Sequence, residues 1–320
     1  MALIRYIPIE PTIPFLEHRL WTMAVGVLIM TVSLVSFAVQ GLNFGVDFRG
    51  GMLIEIRTHE PADLEDLRSR LGDLGLGPVT LQEFGQPTDV LINLQRQEGA
   101  EGEQMAAVNA VRAELGDQVA EYRRTEFVGP RVGEELRRAG MMATILAMLG
   151  IGFYIWFRFE WNFAVAATLA LVHDIIATVG FFSLTQIEFN LTTLAAVLTV
   201  AGYSINDTVV VFDRVREMMR KYKRKSVPAM LNQALNSTFS RTILTSVTTL
   251  IALWSLYLFG GEVIRGFTAG LIWGIVLGTF STIGMAVPLL YYLGVRRPGQ
   301  SEEEAASQPS ARTAGTSQGS

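Results

Sequence analysis

The chain has 320 residues, half of them apolar and only 18% charged, with a formal charge of −4; its mean hydropathy is +0.33. A soluble protein carries nearer a quarter charged residues, and the acidic balance lacks the basic footprint that nucleic-acid binding needs. The absence of cysteine excludes a disulfide framework, a thiolate metal site and a cysteine nucleophile. His18, His59 and His173 are too scattered to form a metal site, and no cofactor is expected.

After residues 1–19, Leu20–Val39 is apolar and free of charge. Crossing the hydrocarbon core takes about 20 such residues, and the run is too long for an ordinary signal-peptide core, so it reads as an uncleaved anchor. Asn43–Arg138 then reads as one small α+β domain. Phe48–Arg57 alternates apolar and polar residues as a strand does, and Pro61–Leu74 has helical spacing opened by proline. Pro78–Phe84 and Asp89–Leu94 suggest two strands joined by the turn Gly85-Gln86-Pro87-Thr88. Gln104–Leu115 is helical in pattern and Gln118–Phe127 is a fourth strand. The order βαββαβ is that of the ferredoxin-like split motif. The domain holds no catalytic constellation, which favours a binding or mechanical role.

Five more spans are predicted at Gly140–Phe157, Asn162–Leu184, Leu191–Phe212, Arg241–Phe259 and Phe267–Leu293. The fold class is therefore a polytopic α-helical membrane protein, with six transmembrane helices and a small extracytoplasmic domain between spans one and two. Orientation follows the positive-inside rule. The stretch 214–240 opens with Arg214, Arg216, Arg220, Lys221, Lys223, Arg224 and Lys225 against Glu217 alone. That marks it as a cytoplasmic loop, puts both termini in the cytoplasm and places 43–138 outside. Within it, Val227–Ser240 has an apolar side of Met230, Leu231, Ala234, Leu235 and Phe239 behind Pro228, and is expected to lie along the membrane surface. The tail 294–320 has a disordered composition.

An ionisable side chain inside hydrocarbon costs about 2.5–3.5 kcal/mol even on insertion scales. Asp207 sits six residues before Asp213, about 9 Å along the helix, too deep for an aspartate to reach water. Burial disfavours a carboxylate and a nearby cation favours it, so a group under both influences can be tuned to exchange a proton. A protonated Asp that hydrogen-bonds a neighbouring helix is the plainer alternative. Arg241, opening span five, is placed either to pair with Asp207 or to snorkel to the surface. Asp174 lies near the middle of span three, in a proton pathway or a structural hydrogen bond, while His173 reads as a packing residue and Glu188 and Asp213 as solvated. Thr192, Thr193, Thr199, Ser204 and Thr208 crowd span four; Thr245, Ser246, Thr248 and Thr249 crowd span five. The row Gly270, Gly274 and Gly278 on span six suits close helix packing.

Several strings also carry a resemblance. Leu42-Asn43-Phe44-Gly45-Val46-Asp47-Phe48-Arg49-Gly50-Gly51 resembles the segment after the first span of the SecD/SecF family, and Val128–Leu136 resembles that family's approach to span two. Gly202–Arg214 is similar to its span-four signature, Ser237–Thr242 to the start of its fifth span, and Val172-His173-Asp174 to its third. The resemblance covers about Pro11–Leu293, and the short outer domain favours the SecF branch. It implies an RND-like half of a bacterial inner-membrane export machine, non-enzymatic, that works with SecD, the SecYEG channel, YajC and an unfolded preprotein. It also implies use of the proton motive force through a path containing Asp207 and Arg241, and more weakly Asp174. Rival readings are an RND-like half-transporter for a lipid or small molecule, a scaffold without proton coupling, and a prenyltransferase-like enzyme using Asn206-Asp207, Asp213 and Glu217. The last lacks a second acidic loop at the same aqueous mouth.

Overall fold

The computed structural model describes residues 11–295, except 78, 85, 96, 98–100 and 129. The first long helix, α1 (Arg19–Gln40), stops at Gly41, whose φ is 66°. The chain then makes a single helical turn, α2 (Val46–Arg49), before strand β1 (Gly51–Thr58). The alternation at Phe48–Arg57 is thus only partly strand. Phe48 is buried among Phe44 and Phe189 rather than in the sheet, and Gly50, at φ 73°, makes the turn from helix to strand.

Helix α3 (Leu64–Asp73) begins later than its proline suggests, because Asp63 accepts from the amides of Glu65 and Asp66 and caps it. Strands β2 (Val79–Phe84) and β3 (Gln86–Gln95) leave only residue 85 between them, so the expected four-residue turn is not formed as such. Helix α4 (Glu101–Leu115) and strand β4 (Val119–Val128) complete a β-α-β-β-α-β order. The sheet is antiparallel with strand order β2-β3-β1-β4. Met52, Ile54, Ile56, Ile92 and Leu94 line one face and bury against Leu67 and Leu71 of α3 and Val108, Val111 and Leu115 of α4. On the alternate positions Arg57 holds Asp89 through two hydrogen bonds of 2.7 and 2.9 Å, and Arg123 adds a third at 3.1 Å.

Five long helical crossings follow: α5 (Pro130–Arg158), α6 (Trp161–Thr185), α7 (Leu191–Lys221), α8 (Val227–Phe259) and α9 (Glu262–Ser281). The last continues through a π-helical turn, Thr282–Ala286, into α10 (Val287–Leu293). With α1, six helices among the described residues are long and apolar enough to cross a membrane. Helices α6, α7 and the last crossing form the buried centre, while α1, α5 and α8 point residues such as Leu28, Phe153, Trp156 and Ile251 outward. So much exposed apolar surface is suited to lipid or a membrane partner, not water.

The glycine row sets the closest approach. A Cβ at Gly270 would fall 2.6 Å from the Phe182 ring and one at Gly278 would fall 3.0 Å from Ser204 Cβ, while one at Gly274 would run into Val200. Span five departs from expectation. The segment 227–240 is not a surface helix in a loop; it is the first part of α8, running unbroken through Arg241. Met230, Leu231, Ala234 and Leu235 bury against Val211, Val215 and Met218 of α7 and against Leu16. Asn236 accepts from the Ile13 amide and donates to its carbonyl, both at 2.9 Å, so residues 11–16 are strapped across this end.

The α+β domain joins the membrane helices at a narrow neck. Gly45 N donates to Phe189 O at 3.0 Å, Phe189 N donates to Asn43 O at 2.7 Å, and Leu191 N donates to Asp47 Oδ2 at 3.0 Å. On the other side of the neck, a Cβ at Gly133 of α5 would sit 3.0 Å from Gly50 N. Strand β2 leans on α9 beside it.

Candidate functional site

His173 is the middle residue of the 25-residue helix α6. It and Asp174 are buried, the latter with 0% exposure. Asp174 is fully engaged. Its Oδ2 accepts from Ser204 of α7 at 2.5 Å and from Ser281 of the last crossing at 2.6 Å. Its Oδ1 faces His173 Nδ1 at 3.0 Å, and His173 Nε2 faces the Gly26 carbonyl of α1 at 3.1 Å. One carboxyl thus ties α6 to two neighbouring helices, and its histidine neighbour ties it to a third. Such ties matter more where no water can replace them.

The π-helical turn explains why the last crossing supplies so many donors. An extra residue in the turn shifts the helical register, so the consecutive side chains Ser281 and Thr282 are both fully buried. Ser281 serves Asp174, and Thr282 lies 3.0 Å from the Thr208 hydroxyl of α7. Farther along, Ser246 of α8 and Thr279 of α9 are 2.7 Å apart.

Asp207 is different. It is 5% exposed, yet its Oδ2 has no hydrogen-bond partner among the described residues. Tyr203 Oη, one turn earlier on α7, and Thr242 Oγ1 on α8 are also buried without partners; α7 and α8 pack together. The Arg241 guanidinium is near enough to act electrostatically on Asp207, but of the two readings left open the ion pair is absent from the bridges among the described residues, and Arg241 is exposed. A carboxyl with a free oxygen in an apolar interior is suited to exchange a proton or take a further partner, not to fasten two helices.

The residues singled out from sequence therefore fall into two clusters sharing α7. Asp174 belongs to a saturated network, and Asp207 to an unsatisfied one, three residues beyond Ser204. His173 is packed with both ring nitrogens engaged, by Asp174 and by the Gly26 carbonyl. Ser281, Thr282 and Thr279 escaped sequence reasoning, because hydroxyls are common in membrane helices and the π turn leaves no signature. Asp213 forms an exposed ion pair with Arg158 at 3.1 Å. Glu188 departs from the solvated reading. It is half-buried against Gly45, and burial, aided by the Asp47 charge, pushes its carboxyl above the usual range despite a hydrogen bond from Asn190. Among the described residues no three His, Asp or Glu side chains converge as a metal site would require.

Comparison with known proteins bears on this arrangement. The C-terminal SecD/SecF family of protein export membrane proteins matches residues 107–296, and the SecD/SecF GG motif matches residues 35–62. The latter contains Gly50 and Gly51 at the neck. The protein translocase subunit SecF of Rickettsia felis is 41% identical over 299 residues, 92% of this chain and 96% of the relative. That of Desulfurispirillum indicum is 45% identical over 287 residues, 88% and 91% of the two chains. Among solved structures, SecDF from Thermus thermophilus, described as a translocon-associated membrane protein, superposes with a TM-score of 0.76 at 32% identity. The match takes in 91% of this chain but only 39% of that one, so this chain resembles one part of a longer polypeptide.

Proposed function

Because this chain belongs to the SecD/SecF family, on its SecF side, we propose that it works with SecD to drive preproteins through the SecYEG channel using the proton motive force, with YajC as a further partner. It is a protein translocase subunit of the Sec pathway and a multi-pass inner-membrane protein. The proton-driven reading rests chiefly on Asp207, a buried carboxyl with an unserved oxygen within a membrane-spanning helix and the Arg241 cation nearby. The SecDF structure, which holds a similar half within one longer chain, supports SecD as the partner. In this reading Asp207 carries the proton, Arg241 biases its charge, and Asp174 takes part through Ser204. The basic residues between Arg214 and Lys225 favour an orientation with that end in the cytoplasm and domain 43–138 in the periplasm.

The test is completion of preprotein export into inverted membrane vesicles after the ATP-driven stage. Asp207→Asn keeps size and hydrogen-bonding capacity but cannot titrate. It is expected to insert and to associate with SecD, yet to lose the gradient-dependent stimulation. Arg241→Met is expected to weaken the same step, since it removes the only cation acting on that carboxyl among the described groups. Full stimulation in Asp207→Asn would make Asp207 a packing residue.

A further inference from the structure

We infer that His173 and Asp174 hold one shared, buried proton whose loss releases the hydrogen bond by which α6 grips α1.

The Gly26 carbonyl can only accept, so His173 Nε2, 3.1 Å from it, must carry a hydrogen. The second gap, 3.0 Å between Nδ1 and Asp174 Oδ1, also needs one. A neutral imidazole has a single N–H, already committed to Gly26. The second hydrogen is therefore either the extra proton of an imidazolium facing a carboxylate, or the acid proton of Asp174 donated to a bare Nδ1. Both forms are neutral as a pair, which suits a site with 2% and 0% side-chain exposure. The hydroxyls of Ser204 and Ser281 on Oδ2 serve either form.

Without that proton, one hydrogen must serve two gaps. A hydrogen bond to a carboxylate is roughly twice as strong as one to a neutral carbonyl, so the imidazole hydrogen moves to Nδ1. Nε2 is then a bare lone pair facing the Gly26 oxygen, and that contact opens. The charged surroundings are sparse. Between residues 20 and 40, 139 and 157, and 266 and 293, the α1, α5 and last-crossing segments carry no Asp, Glu, Lys or Arg. From α7 comes Asp207, three residues past Ser204 and under the influence of Arg241 on α8. A charge change at Asp207, three residues from Ser204 on the same helix, can act on the shared proton. Helix α1 is also the element that leads into the neck, and above Gly26 it is tied to α6 through Ser36 and Ser183, 2.8 Å apart. The use of this switch in export rests on the proton-driven reading above; the shared proton itself does not.

The test uses the full chain in lipid nanodiscs with ¹⁵N-labelled histidine, whose three ring signals are assigned by loss of the His173 set in His173→Gln. In the unsubstituted chain Nε2 is expected to be protonated in mildly acid buffer and to become bare, with the hydrogen on Nδ1, as the buffer is made alkaline. Asp174→Asn can donate an amide hydrogen to Nδ1 permanently. It should hold the Nε2–H tautomer across the same range, with no exchange. A bare Nε2 in acid, or identical behaviour of the two chains across the range, would overturn the proposal. Vesicle export separates the two readings: Asp174→Asn, locked in the loaded form, should lose gradient stimulation. Normal export alongside the expected ring signals would overturn the link to export and leave Asp207 unaffected.

Discussion

At the scale of single residues, burial and partner count decide what a charge does. Asp89 and Asp207 are both carboxyls exposed by 5% or less, yet one is saturated and the other is not. The hydrogen bonds from Arg57, with the charge of Arg123 behind them, hold the Asp89 carboxyl below the usual range. A depressed pKa contributes stability that is present above the unfolded carboxylate range and is lost as pH falls through the folded value. Residues 43–138 expressed alone are expected to unfold cooperatively, and Asp89→Asn should remove part of the loss of stability below that range while lowering stability at neutral pH. Circular dichroism melts across acid pH check both, and an unchanged acid limb would remove Asp89 from the explanation. Asp207 was legible in the sequence because a lone acid in an apolar run stands out against the cost of burying it. The His173–Asp174 contact was not, since adjacent residues on a helix point about 100° apart and only the structure shows the imidazole reaching round. Ser281 and Thr282 were hidden because the π turn that turns both inward has no sequence rule.

At the scale of elements, periodicity located the helices but not their limits. The basic cluster near Lys225 set a boundary by charge, yet helix formation ignores charge where Pro228 can start a helix and no glycine interrupts it until Gly260. The strand pattern at Phe48 failed for the converse reason, since aromatic burial against Phe44 and Phe189 outweighs alternation. The glycine row was read correctly as a packing surface. Gly274→Val drives a branched side chain into Val200, and such overpacking costs about 1–3 kcal/mol. A lower thermal midpoint in detergent micelles checks this, with Gly202→Ala, whose Cβ meets nothing within 4 Å, as the tolerated control. The loop between α6 and α7 makes a separate prediction. Glu188 titrates above its unfolded value because it is buried and faces Asp47. A raised carboxyl pKa contributes stability that is fully present below the unfolded value and lost as pH rises through the folded one. The neck is therefore expected to loosen as pH rises above the ordinary carboxyl range, and Glu188→Gln should abolish that change. Hydrogen exchange at the amides of Gly45 and Phe189 reads it directly, and equal pH dependence in the variant would exclude Glu188 as the cause.

At the scale of the whole molecule, orientation is the first thing to fix. A phosphatase reporter fused at Asp117 is expected to be active outside the cytoplasm and one fused at Lys223 to be silent; activity at Lys223 would invert the molecule. The neck then has a mechanical consequence. Both roots of the α+β domain meet at one place, where β1 pairs with β4 at Gly51 and Val128 and Gly133 presses on Gly50. A sheet joined at a narrow foot, with β2 leaning on α9 beside it, has leverage. The eight residues of β1 carry the sheet roughly 25 Å past that foot at about 3.3 Å per residue, so a tilt of about 10° moves the far edge by roughly 4 Å. The same tilt barely displaces the foot itself. A small tilt at the joint with the membrane helices is thus enlarged to several ångströms at the edge of the sheet farthest from it.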